Sequence, residues 1–221
     1  MSGLSGREVV LFGVSNMLSD IYEAIDAQGG RFSRLVVNQP EVLRPRTLGY
    51  AERFARLGAA PEVVDWKDFA PREGELYALG TTASGREQLM IQAREAWGLG
   101  FTPLVHPRAY LSRFVTVGEG AFVGAGSVIG PGAVLGAAVF VNRGVTVGHD
   151  TRLGQACRLM PGCNVGGHVT IGARATIGMG ASVIEELEVG ADALVAAGAV
   201  VVRDVAAGAR VAGVPARPLG T

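Results

Sequence analysis

The chain is short of several things that would announce a function. Only two of its 221 residues are cysteine, Cys157 and Cys163, too few for the disulfide framework of a secreted scaffold. No sign of charge predominates. Twenty Lys and Arg face 20 Asp and Glu, the pI is about 6.8, and no basic block supplies the positive footprint that a phosphate backbone requires. Nucleic acid is therefore not an expected partner. Long apolar runs are missing too. The longest, Ala133–Val141 and Ala193–Val202, are broken by glycine and fall well short of the ~20 residues of a membrane-spanning helix. The N-terminal MSGLSGREVV has no apolar stretch behind its first arginine, so no signal peptide is expected and the expected location is the cytoplasm. A composition 48% hydrophobic and 18% charged is nevertheless that of a globular chain.

One residue is abundant. There are 33 glycines, roughly twice the usual share, and each adds conformational entropy that folding must overcome. Their placement explains them. From Val105 to Val201 every sixth residue is aliphatic, running through Leu111, Val117, Val123 and Ile129 to Val189 and Val195 without a break in phase. Glycine commonly follows, as at Gly118, Gly124, Gly130, Gly148 and Gly178. Two residues before the aliphatic position stands a small or β-branched side chain, such as Ala121, Ser127, Thr151, Cys157, Cys163 or Ala199. A period of six belongs neither to a helix nor to an ordinary strand; it is the period of a solenoid. A short strand buries residues i−2 and i, and the chain bends over the next three. Three such units close a triangular coil, so residues 105–201 build about five coils at the usual strand spacing. This is the hexapeptide repeat of a left-handed parallel β-helix. Both cysteines fall on its small interior position and read as inert core residues.

The first hundred residues follow another pattern. Strands are expected at Glu8–Phe12, Arg34–Val37, Glu62–Asp65 and Leu76–Leu79, and helices at Leu18–Gln28, Leu48–Arg56 and Ser84–Trp97. This alternation predicts a small parallel α/β domain, residues 1–103, ahead of a β-helix domain that spans 104–221 with its C-terminal tail. In such sheets ligands bind beyond the carboxyl ends of strands. The loops at Gly13–Asn16 and Gly80–Thr82 are the corresponding places here, and Gly13, Ser15, Asn16 and Gly80 are the candidate acceptor-binding residues. An ordinary strand-to-helix turn accounts for these glycines equally well.

Three histidines are present, His106, His149 and His168. His149 lies at i+2 of its hexapeptide, on a corner of the prism, and Asp150 follows on the same corner. Imidazole titrates near neutrality and suits removal of a proton from a weak nucleophile, while the carboxylate can raise its basicity. The plain alternative is a solvated histidine beside a turn aspartate. His168 stands nineteen residues on, one coil plus one residue, and reads as an exposed corner residue close to His149. His106 reads as structural. Zinc catalysis, known in β-helical carbonic anhydrases, uses two histidines five apart; spacings of 43 and 19 do not match it, and no metal is expected.

The sequence as a whole resembles the bacterial sugar O-/N-acyltransferases, which include sialic acid O-acetyltransferases and N-acetyltransferases of nucleotide-linked amino sugars. The short α/β domain, LVHPRAYLS, the unbroken array with VGHDTRLG in its middle, Asn142 seven residues before His149, and the closing GAVVVRDVAAGARVAGVPARPL carry the resemblance. It implies a homotrimer with acetyl-CoA in the groove between adjacent β-helices. It further implies His149 as catalytic base, Asp150 and Asn142 as its companions, Gly167, Met179 and Ala197 along the coenzyme, and Arg158 near a coenzyme phosphate. Gly178–Ala181, with Gly180 at its centre, is small enough for the coenzyme to approach the backbone, although the repeat needs small groups there anyway. The chain departs from the family pattern at FGVSNMLSD, where relatives carry consecutive glycines and a histidine, and at Gly148, where several carry an acid. The implied reaction is acetyl transfer to an amino or hydroxyl group of a sugar. The alternatives are another acyl group, an acceptor without a nucleotide, or a β-helix that binds without catalysing.

Overall fold

The computed structural model describes residues 3–41, 47–82 and 85–219. They form two compact units, Met1–Pro107 and Arg108–Thr221.

The first unit holds β1 (Glu8–Phe12), α1 (Leu18–Asp26), β2 (Arg31–Val37), α2 (Tyr50–Leu57), β3 (Glu62–Asp65), β4 (Leu76–Leu79) and α3 (Arg86–Trp97). The four strands are parallel in the order β3-β2-β1-β4. Phe12, wholly buried at the end of β1, is ringed edge-on by Trp66, Phe69, Tyr77 and Phe101. Arg34, stacked over the Phe69 ring at 4.7 Å, forms a buried ion pair. Arg34 Nε donates to Glu75 Oε1 at 2.8 Å, its Nη1 donates to the Ala70 carbonyl, and Glu75 Oε2 accepts from the Arg72 N–H. Both charges are therefore hydrogen-bonded out of water, the condition under which such a pair is tolerated. Helix α3 stops at Gly98, whose φ of 68° gives the left-handed cap. Its expected start at Ser84 lies outside the described residues.

The second unit is the β-helix. Its strands stack in parallel on three faces. The first carries Phe122–Val123, Phe140–Val141, Arg158–Leu159, Thr176–Ile177 and Leu194–Val195. The second carries Tyr110–Leu111, Val128–Ile129, Thr146–Val147, Asn164–Val165, Ser182–Val183 and Val200–Val201. The third carries Thr116–Val117, Val134–Leu135, Arg152–Leu153, Thr170–Ile171 and Glu188–Val189. Partners differ by one 18-residue coil, as Val134 and Arg152 do. The last coil is two residues shorter, for Leu194 pairs with Arg210.

The phased aliphatics fill the prism. Val123 through Val201 at every sixth position are buried, while Val105, Leu111 and Val117 near the start are half-buried. The i−2 side chains meet them inside, Cys157 and Cys163 among them at zero exposure. Interior hydroxyls find partners, as they must: Ser127 Oγ donates to the Asn142 carbonyl and Thr151 Oγ1 to the Gly166 carbonyl, each at 2.8 Å. Among the described residues no helix is long and apolar enough to cross a membrane.

Candidate active site

The edge between the second and third faces holds the His149–Asp150 pair. There the strand Thr146–Val147 ends, the chain turns through residues 148–151, and Arg152 begins the next face. Asp150 takes the left-handed conformation at this turn, with φ 56°, which aspartate tolerates better than most residues. The turn breaks the alternation of a strand, so His149 and Asp150 project on the same side. His149 Nδ1 lies 2.9 Å from Asp150 Oδ2. An ionised Asp150 at that distance favours the tautomer with the ring proton on Nδ1 and Nε2 as the acceptor nitrogen.

One coil further on, the same turn places Gly167 under His149 and His168 beside it. A Cβ built on Gly167 would lie 2.8 Å from His149 Nε2, so the imidazole occupies space that any other residue would fill. The His168 N–H donates to the His149 carbonyl at 2.9 Å. The two rings stand edge to face at 4.8 Å and 90°, and His168 Nε2 is 4.0 Å from Asp150 Oδ2. The cluster is solvent-exposed. Gly167 N–H has no hydrogen-bond partner among the described residues.

The remaining candidates divide between other parts of the prism. Met179, Gly180 and Ala197 lie exposed on the preceding edge, between the first and second faces. Asn142 shares that edge, but it is buried, and its Oδ1 accepts from the Arg143 N–H at 2.8 Å. Within one chain Asn142 and His149 therefore occupy successive edges, and the structure does not bring them together. Arg158 lies on the first face, donating from Nη2 to Thr176 Oγ1 at 2.8 Å, with its Nε buried and without a partner among the described residues. His106 is buried in the first unit, its Nε2 3.9 Å from Glu23.

In the α/β unit, Gly13 and Gly80 pack on each other. A Cβ on Gly80 would meet the Gly13 carbonyl oxygen at 2.6 Å. Ser15 Oγ donates to the Gly80 carbonyl at 2.8 Å, joining the loops after β1 and β4, the point where strand order reverses and where open α/β sheets bind ligands. Ser15 is thereby engaged inside the protein. Asn16 accepts from Arg53 through both its carbonyl and Oδ1. A cleft of about 560 Å³ opens beyond the ends of β2 and β3, lined by Asn38, Gln39, Trp66, Gln92, Glu95 and Ala96. None of these was singled out from the sequence. Asn38 and Trp66 directly follow their strands, the one signal that pointed there.

The stacked hexapeptide prism is the scaffold of the hexapeptide-repeat transferases. The repeat family described as bacterial transferase hexapeptide (six repeats) matches residues 150–185. No curated protein matches the chain significantly. Solved structures do. PerB from Caulobacter crescentus, in complex with CoA and GDP-perosamine, is 30% identical with a TM-score of 0.81 over 98% of this chain and 99% of its own. The acetyltransferase domain of PglB from Neisseria gonorrhoeae, in complex with acetyl coenzyme A, is 26% identical with a TM-score of 0.80 over 96% and 99%. WeeI from Acinetobacter baumannii, at 22% identity and a TM-score of 0.80 over 96% and 100%, shares the fold. The chain belongs to the bacterial hexapeptide-repeat sugar acyltransferase family, and it is an enzyme.

Proposed function

We propose that the protein transfers the acetyl group of acetyl-CoA to an amino or hydroxyl group of a nucleotide-linked sugar by direct attack, with His149 as general base. The observation that carries the reading is the His149–Asp150 contact at 2.9 Å with Nε2 turned to the Gly167 backbone. His149 Nε2 accepts the proton as the acceptor's nitrogen or oxygen attacks the thioester carbonyl. Asp150 holds Nδ1–H and stabilises the imidazolium. Gly167 N–H donates to the oxyanion, and the imidazolium then returns its proton to the departing thiolate. A thioester is already activated, so no covalent enzyme intermediate is needed. The cysteines are unsuited to forming one, because burial pushes the Cys157 thiol up and the Cys163 thiol up to about 12.

Two further assignments belong to this reading. The nucleotide end of the acceptor binds in the α/β unit, beyond the carboxyl ends of its strands, where Gly13, Ser15, Asn16 and Gly80 shape the loops. The working form is a homotrimer. Tyr110 and Val128 stand 63% and 45% exposed on the second face and Met179 58% exposed on its edge, apolar surface that a neighbouring prism would cover. With Arg158, Met179, Gly180 and Ala197 away from the His149 edge, a groove between two copies unites coenzyme and base. PerB and the PglB domain, which hold CoA or acetyl-CoA, support the donor, and GDP-perosamine in PerB supports an amino sugar on a nucleotide.

The test is thiol release from acetyl-CoA against a panel of free and nucleotide-linked amino sugars. Turnover with a nucleotide-linked member is expected. No turnover with any acceptor, together with no CoA binding by calorimetry, would leave a non-catalytic prism.

A further inference from the structure

We infer that His149, Asp150 and His168 form a binding site for a divalent transition ion, Zn²⁺ by its donor set, and that occupancy switches the enzyme off. Three observations meet at this edge. The potential donor atoms of the three side chains lie within 4.8 Å of one another. Asp150 Oδ2 is the common centre, 2.9 Å from His149 Nδ1 and 4.0 Å from His168 Nε2. Among the described residues the two histidine rings are the groups within ion-pair distance of Asp150, and no arginine competes for the carboxylate.

The coil itself assembles the site. Asp150 and His168 are one coil apart and hold matching left-handed turns, each with φ 56°, which stacks them along the edge at the spacing of adjacent strands. Nineteen residues, one coil plus one, separate the histidines along the chain, and the rings meet in space as that spacing implies. Two imidazoles and one carboxylate are a borderline-soft donor set that suits zinc, with Zn–N near 2.0–2.1 Å. Small side-chain rotations bring exposed donors to such distances, and water fills the fourth position.

Inhibition follows from which nitrogen is taken. An ion seated between His149 Nδ1, Asp150 Oδ2 and His168 Nε2 displaces the Nδ1 proton. The neutral ring then keeps its proton on Nε2, the nitrogen that would receive the acceptor's proton. The imidazole remains in place and ceases to be a base. Zinc acts here as an inhibitor, a role different from catalysis.

The inhibitory half rests on the base assignment above; the binding half does not, so the two are measured separately. Metal-free full-length protein is titrated with ZnCl₂ by calorimetry without substrates, and with CoCl₂ for the visible absorption of a ligated cobalt ion. One ion per chain is expected. In His168→Asn, where asparagine tolerates the left-handed turn, affinity is expected to fall by roughly 10–100-fold, at least the loss seen when a ligand's support is removed. Metal-free turnover is expected to stay near wild type. Zinc should inhibit wild-type turnover reversibly, with chelator restoring it, and inhibit His168→Asn only at correspondingly higher concentration. No binding up to millimolar zinc, or equal binding by His168→Asn, overturns the site. Binding without inhibition leaves the site standing and overturns His149 as the base.

Discussion

At Gly167 a hydrogen in place of a side chain gives the His149 imidazole its seat, since a Cβ there would crowd Nε2 at 2.8 Å. Gly167 is absent from the residues with positive φ, so alanine meets no backbone objection and acts through the ring alone. Gly167→Ala is expected to cut kcat by up to about 100-fold, the scale of a misplacement near 1 Å, with the thermal midpoint little changed. An unaltered kcat would mean the ring's seat is irrelevant to turnover. The cysteines give a second residue-scale test. The thiolate is the reactive form, and burial raises both thiol pKa values, Cys163 to about 12. The thiolate fraction at neutral pH is therefore held down. A thiol reagent should leave the native protein untouched at about pH 7–8 and find both thiols after denaturation. Fast labelling of the native protein would contradict their interior placement.

Among the elements, β1, β3 and β4 lie at the expected positions; β1 is a buried apolar run that leaves few alternatives, while β3 is a sheet edge with only Val64 buried. Boundaries moved where side chains gave mixed signals. Strand β2 begins at Arg31 instead of Arg34: Arg31 and Phe32 pair with Glu8 and Val9 of β1, and Ser33 is passed over where the register shifts. Helix α1 ends at Asp26, before the expected Gln28, in a turn closed at Gly29. Helix α2 starts only at Tyr50, after Gly49 in extended conformation. The prism was legible because burial alternates inside a fixed period. Its edge was legible only in part: His149 and Asp150 stood out as neighbours, whereas the seat that Gly167 gives the His149 ring and the Asn38–Trp66 cleft depend on contacts between distant residues. The Arg34–Glu75 pair was likewise invisible, being 41 residues apart. It makes a stability test. Glu75→Gln leaves a buried guanidinium without its counter-charge, which costs about 3–5 kcal/mol, read as a lower urea midpoint. A loss under about 1 kcal/mol would place the pair in the range of solvent-exposed bridges.

For the whole molecule, the distribution of candidates over two edges and a face makes association part of the account. Light scattering at micromolar concentration should give a mass near three times 22.8 kDa; a monomer would remove the intersubunit groove. The most direct test of the central claim is steady-state turnover of His149→Ala with acetyl-CoA and an accepted sugar nucleotide, across about pH 6–9. General-base catalysis contributes about 10²–10⁴-fold, so kcat should fall by that factor while acetyl-CoA affinity stays within a few-fold, with Asp150→Asn losing less. Near-normal turnover by His149→Ala across that range would contradict the assignment.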